Sequence, residues 1–117
     1  MSEASHSLLR LDVERRDRAV VVHLAGSLGM VEAEPLRQQL ERLAAEQVPR
    51  TVLDLGGLDF IGSAGLAAVV FGHLRNRHHQ GVICLAHPRP AVREVLERTR
   101  LTCLFPVYES VDQALAH

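Results

Sequence analysis

The chain has no lysine, no tryptophan, one tyrosine, three phenylalanines and two cysteines. Without lysine there is no P-loop and no lysine-based catalysis. All thirteen basic residues are arginine, a bias that reflects base composition more than chemistry, since either side chain carries the same charge on a solvated face. Cys84 and Cys103 lie in apolar stretches and form no CxxC pair. They read as small buried hydrophobes in a reducing compartment, with no structural disulfide. No segment approaches the roughly 20 apolar residues that span a bilayer. The polar stretch Met1–Ser7 has no signal-peptide core. The expectation is a soluble, cytoplasmic protein without membrane insertion.

Charge of one sign is also missing. Thirteen basic and fourteen acidic side chains are interleaved, for a net charge of −1. No block marks a nucleic-acid tail or a membrane patch, so the expected partner is a protein or a small molecule. The 117 residues are 47% apolar and 23% charged, which suits one domain over residues 1–117. Such a chain buries about two thirds of its unfolded surface, enough for a core of Val, Leu, Ile and Ala.

Hydrophobic periodicity orders the elements. Leu9, Leu11 and Val13 alternate with Arg10, Asp12 and Glu14, so Ser7 to Glu14 reads as a half-buried edge strand. The charged turn Arg15–Arg18 joins it in a hairpin to the β-branched run Ala19–Ala25, a strand inside the sheet. After Gly26 and Gly29, helical spacing of Met30, Ala33, Leu36, Leu40, Leu43 and Ala44 predicts an amphipathic helix up to Gln47. Pro49 precedes a strand, Thr51–Leu55, closed by Gly56 and Gly57, and Asp59 to Gly62 reads as a turn. From Ser63 as N-cap, a helix with Leu66, Val69, Val70, His73 and Leu74 on one stripe runs to Gly81. Strand Val82–Ala86, helix Ala91–Arg100, strand Leu104–Tyr108 and a helix from Ser110 complete the order. This β-β-α-β-α-β-α-β-α series predicts an α/β fold: a mostly parallel four- to five-stranded sheet, an antiparallel edge strand and about four helices.

The segment LDFIGSAGL, Leu58–Leu66, places a hydroxyl at the mouth of a helix. Two readings of Ser63 stand side by side. As an N-cap it would contribute about 0.5–2 kcal/mol. As a phosphorylation site it would take about −1.5 to −2 charges, which a helix N-terminus favours by about 0.3–1 kcal/mol. A partner surface that buries an unpaired dianion loses several kcal/mol, and roughly 4 kcal/mol weakens binding about a thousandfold. An esterase nucleophile elbow is excluded, since Ile61 stands where it needs glycine. Gly62 and Gly65 do not complete a dinucleotide fingerprint. The seven histidines form no ligand pair at i and i+4, and His73, His78 and His79 suit solvated or capping roles near a helix C-terminus. His23 reads as a satisfied strand residue, and Asp54 and Asp59 as residues that cap or solvate the glycine turn. No metal or cofactor is expected.

Three stretches resemble the STAS domain, and within it the bacterial anti-sigma-factor antagonists: Ala25–Met30 (AGSLGM), Thr51–Leu66 (TVLDLGGLDFIGSAGL) and Pro88–Leu115. The family's switch turn usually reads Asp-Ser-Ser/Thr-Gly-Leu. Ser63, Gly65 and Leu66 match it, while Gly62 replaces the acid and Ala64 the second hydroxyl residue. The earlier turn, typically Gly-Glu-Leu-Asp, reads Gly26-Ser27-Leu28-Gly29. An anionic surface suited to a basic partner is thus neutral at Ser27, Gly29 and Gly62. The resemblance implies a non-enzymatic regulator that binds an anti-sigma factor, itself a serine kinase, and so frees a sigma factor. Phosphorylation of Ser63 would break the complex and a serine phosphatase would restore it. Ser27, Gly29, Met30, Gly62, Ala64, Gly65 and Leu66 would form the contact surface. Gly65 has a second reading, packing of the helix on the sheet. The family also allows a non-phosphorylated STAS interaction module, an accessory subunit of a transporter or signalling assembly.

Overall fold

The computed structural model describes residues 8–117; Met1–Ser7, with the expected start of the first strand, lie outside them. The elements are β1 (Leu9–Arg16), β2 (Ala19–Leu28), α1 (Met30–Ala45), β3 (Arg50–Ile61), α2 (Ser63–Asn76), β4 (Val82–Ala86), α3 (Pro90–Arg98), β5 (Val107–Tyr108) and α4 (Val111–Ala116). A 3₁₀ turn at Arg77–His79 continues α2, and another at Leu101–Cys103 follows α3. The five strands lie in sequence order. β1 is antiparallel to β2 and every other pair is parallel, the mixed α/β sheet that the sequence predicts.

Because the crossovers all step in one direction, their common hand places α1, α2 and α3 on a single face. There Val20, Val22, Leu24, Leu53, Leu55, Ile83 and Leu85 meet Leu36, Leu40, Leu43, Val69, Val92 and Leu96 in one continuous core. On the other face Val21, Val52, Cys84 and Ala86 form a small cluster under Ala114 of α4, with Tyr108, Val111 and Leu115 at its margin. α1 and α2 pack closely because Gly72 has no side chain: a Cβ there would stand 2.8 Å from Leu40 Cδ1 and 3.1 Å from Ile83 Cδ1.

Several boundaries differ from the sequence reading. The turn expected at Asp59–Gly62 is strand: β3 runs on to Ile61, past Gly56 and Gly57. β2 likewise continues through Gly26 to Leu28. Gly26 adopts φ +101, and a Cβ would stand 2.1 Å from Leu8 O, so glycine preserves the strand here instead of ending it. Leu74 is exposed; the buried side of α2 is Gly65, Ala68, Val69, Gly72 and Asn76, small residues that apolar periodicity underweights. Cys103 is exposed in the loop after α3, whereas Cys84 is buried as expected. Among the described residues no helix is long and apolar enough to cross a membrane.

Candidate functional site

β2 and β3 are parallel neighbours whose last registered pairs are Ser27 with Phe60 and Leu28 with Ile61. Both chains then turn at once into helices, so α1 and α2 begin side by side at the same end of the sheet. Gly62 N–H donates to Leu28 O at 3.0 Å and joins the two turns. The N-cap residues are Gly29 and Gly62, both extended, and neither offers a side-chain acceptor. At α1, Gly29 N–H donates to Glu32 Oε1 at 3.1 Å.

Ser63 is the first residue of α2. The expected N-cap role is therefore corrected: Gly62 holds that position. From the first helical position its hydroxyl makes no cap hydrogen bond to the N–H groups of that turn. Ser63 is exposed, and no hydrogen bond to its hydroxyl is found among the described residues. At the same sheet end, at the start of α1 and the end of β3, Met30 is 83% exposed, Val31 79% and Phe60 52%. Three large exposed apolar side chains at the sheet end that carries Ser63 are unusual on a surface made for water alone.

The predicted site residues divide into two groups. Ser27, Gly29, Met30, Gly62, Ser63 and Ala64 are assembled at this sheet end. Gly65 is buried, and a Cβ on it would stand 2.7 Å from Leu28 Cγ and 3.1 Å from Leu28 O. Its glycine lets α2 sit on β2, so of its two readings packing is the one found. Leu66 is half-buried against the core and supports the surface from beneath.

The sequence reading missed two features. A groove of about 460 Å³ runs between α1 and α2, lined by Met30, Ala33, Glu34, Arg37, Ala64, Ala67, Ala68 and Phe71. Its signal was present as alanines at helical spacing opposite Ala33. Arg37 spans its rim, donating to Glu34 and Glu41 and lying 5.2 Å from the Phe71 ring centre.

The second is a three-strand polar bridge on the face opposite α1–α3. His23 Nδ1 lies 2.7 Å from Asp54 Oδ2 on β3, and Nε2 lies 2.8 Å from Glu14 Oε1 on β1. Arg16 Nε donates to the other oxygen of Glu14. Only a protonated imidazole donates from both nitrogens. Accordingly Glu14, first, and then Asp54 raise the His23 pKa above its ordinary value, against the partial burial of the ring. Glu14 is correspondingly lowered, chiefly by His23 and then by Arg16. His23 is thus satisfied, as the sequence suggested, but by partners that only the register brings together. Asp54 Oδ1 also accepts from Gly56 N–H at 3.0 Å, the expected local role. Asp59 is paired with Arg89.

Comparison with known proteins agrees with this architecture. The STAS domain model matches residues 10–114. The chain is 35% identical over 108 residues to a Bordetella bronchiseptica protein named "Putative anti-sigma factor antagonist BtrV", covering 92% of this chain and 93% of that one. Among solved structures, an anti-sigma factor antagonist from Mycobacterium paratuberculosis superposes with a TM-score of 0.84 at 30% identity over 92% of each chain. The anti-sigma factor antagonist SpoIIAA shares the fold in its unphosphorylated form, with a TM-score of 0.81, 22% identity and 91% and 93% coverage. The phosphorylated form, from Bacillus, has a TM-score of 0.73, 20% identity and 92% and 97% coverage. With a family model spanning nearly all of its length and a relative above 30% identity, the chain belongs to the STAS domain family.

Proposed function

We propose that this protein is an anti-sigma factor antagonist: it binds an anti-sigma factor that is also a serine kinase, and phosphorylation of Ser63 ends the complex. The observation that carries this reading is the exposed Ser63 hydroxyl on the first turn of α2, at the sheet end where Met30, Val31 and Phe60 are also exposed. The names borne by its relatives support it. A phosphate there adds about −1.5 to −2 charges where the helix terminus accepts them, so the fold survives modification. The docked surface does not, because apolar side chains offer the dianion no counter-charge. The cycle is closed by a serine phosphatase, and the chain acts as a single cytoplasmic binding domain without catalysis of its own.

The contact surface in this reading is Ser27, Gly29, Met30, Gly62 and Ala64, extended by Val31, Phe60 and the adjoining groove. Gly65 and Leu66 act from below. Incubation with the anti-sigma kinase and Mg-ATP, followed by intact-mass measurement, should add one phosphate to the wild type and none to Ser63→Ala. An unmodified wild type would instead favour a STAS interaction module that serves a transporter or signalling assembly without phosphate chemistry. The neutral turn at Ser27, Gly29 and Gly62 is what gives that second reading its standing.

A further inference from the structure

The His23 bridge sits at a critical place on β3. Up to the pair of His23 with Asp54 the β2–β3 ladder is regular. Beyond it, two steps along β2 (His23 to Ala25) match three along β3 (Asp54 to Gly57), and one step from Gly26 to Ser27 matches two from Leu58 to Phe60. β3 therefore carries two bulged residues between the bridge and Ser63. A bulge leaves a residue unpaired and disrupts the ladder locally. Side-chain hydrogen bonds supplement it here. Asp54 Oδ1 accepts from Gly56 N–H, Gly56 O accepts from Arg89 Nε at 2.7 Å, and Arg89 is ion-paired with Asp59, four residues before Ser63.

We propose that His23 is a positioning residue for Ser63: as a cation it clamps the last regular rung of β3 between Glu14 and Asp54, and its deprotonation releases the bulged segment that presents the serine. The inference deepens the phosphoswitch reading and rests on it for its biological meaning. The charged and titratable groups around the ring are few. β1 contributes Glu14, held on its far side by Arg16, and Asp12 at the facing backbone position. β3 contributes Asp54. Arg50, on the same sheet face, is engaged with Ala114 O and Cys84 Sγ. After β4 come Arg89 and His87, whose ring lies against Gly56. When His23 loses its proton, one of the two carboxylates faces a nitrogen lone pair. If that is Asp54, its hold on Gly56 is free to shift.

The test is a pH titration of the uniformly 15N-labelled full-length chain by two-dimensional NMR, reading the imidazole rings and the backbone amides together. The His23 ring should titrate above the ordinary histidine value of about 6.5, with both nitrogens protonated below its midpoint. The amides of Gly56, Gly62 and Ser63 should move with that same midpoint. His23→Gln should remove this component. Glu14→Gln, which keeps the Asp54 contact, should lower the His23 midpoint and carry the three amides down with it. Amides that stay fixed through the His23 midpoint, or that keep their titration in His23→Gln, overturn the proposal. So does a Glu14→Gln variant in which ring and amides separate, and this arm stands even if His23→Gln fails to fold. No kinase enters these measurements, so an unphosphorylated Ser63 would defeat the proposed function without touching this result. With the kinase present, the initial rate of phosphate addition should depend on pH through the His23 midpoint when the kinase's own profile, measured on His23→Gln, is divided out.

Discussion

The two faces of the sheet are made by alternate residues of the same strands, yet they are built on different physics. Toward α1–α3, Val20, Val22, Leu24, Leu53 and Leu55 are all buried and apolar. Toward the other side, Val21, Val52 and Cys84 are covered by the short α4, while His23, Asp54 and Glu14 occupy the part of the face that α4 does not reach. Burial on the first face is non-directional and scales with area. The charge bridge on the second is directional and contributes little to stability in partly hydrated surroundings, but it ties β1, β2 and β3 together at one level of the sheet. One face holds the fold together, and the other carries the bridge proposed above to position Ser63.

The comparison is broken most severely from the apolar side. Leu53→Ala removes a fully buried side chain from the middle of β3 and should cost about 2–5 kcal/mol through lost transfer energy and the cavity left behind, measured by urea unfolding. Gly65→Ala should follow. The added methyl would stand 2.7 Å from Leu28 Cγ and 3.1 Å from a backbone carbonyl, and such overpacking typically costs about 1–3 kcal/mol. A loss below a few tenths of a kcal/mol would mean that α2 slides freely on β2 and that Gly65 has no packing role.

The polar face sharpens the comparison through pH. The His23 pKa is raised in the folded chain. The stability it contributes is fully present below the unfolded value of about 6.5 and is lost as pH rises through the folded value. Denaturation midpoints of wild type and His23→Gln should therefore converge as the solution is made more alkaline, with a smaller effect than either core substitution. Curves that stay parallel from pH 6 to pH 9 would show that the bridge carries no proton-linked stability.

What the sequence made legible follows the same division. Period-2 and period-3.6 patterns, with continuous apolar runs for the inner strands, located every strand and α-helix, though the last strand is only Val107–Tyr108 of the expected Leu104–Tyr108. They failed where small residues replaced large ones: Gly65, Ala68 and Gly72 mark the buried side of α2, and Leu74 drew the stripe the wrong way. Glycine at Gly26, Gly56 and Gly57 looked like punctuation, but these positions are bulged or tightly approached strand. Ser63 was found through its motif, and its exposure was legible. Its position one residue inside the cap was not, because helix ends are decided by backbone angles that any small residue can adopt. The His23 bridge joins residues 9 and 31 positions apart, and no local pattern encodes such a meeting. The hairpin register could have paired Asp12 and Glu14 with the neighbourhood of His23, had the turn been fixed first.

The smallest expected effect on the fold comes from Ser63→Asp, and it separates folding from binding most cleanly. The side chain is exposed, so no cavity or clash is created. A carboxylate in the first turn of α2 meets free backbone N–H groups, and the interaction is favourable by about 0.3–1 kcal/mol. α2 has no acidic residue of its own in that turn, so nothing there repels the new charge. The thermal unfolding midpoint should accordingly stay level or rise slightly. Binding is different, because in the proposed complex a partner that covers this sheet end also takes the charge out of water. An unpaired carboxylate there meets the desolvation cost without a partner, and titration calorimetry against the anti-sigma factor should show affinity falling by about a hundredfold or more, about 3 kcal/mol. Ser63→Ala, which adds no charge, should bind as wild type does. Equal affinity for Ser63→Asp and wild type would mean that the complex leaves this sheet end uncovered, and the contact surface would then have to be sought along the groove between α1 and α2.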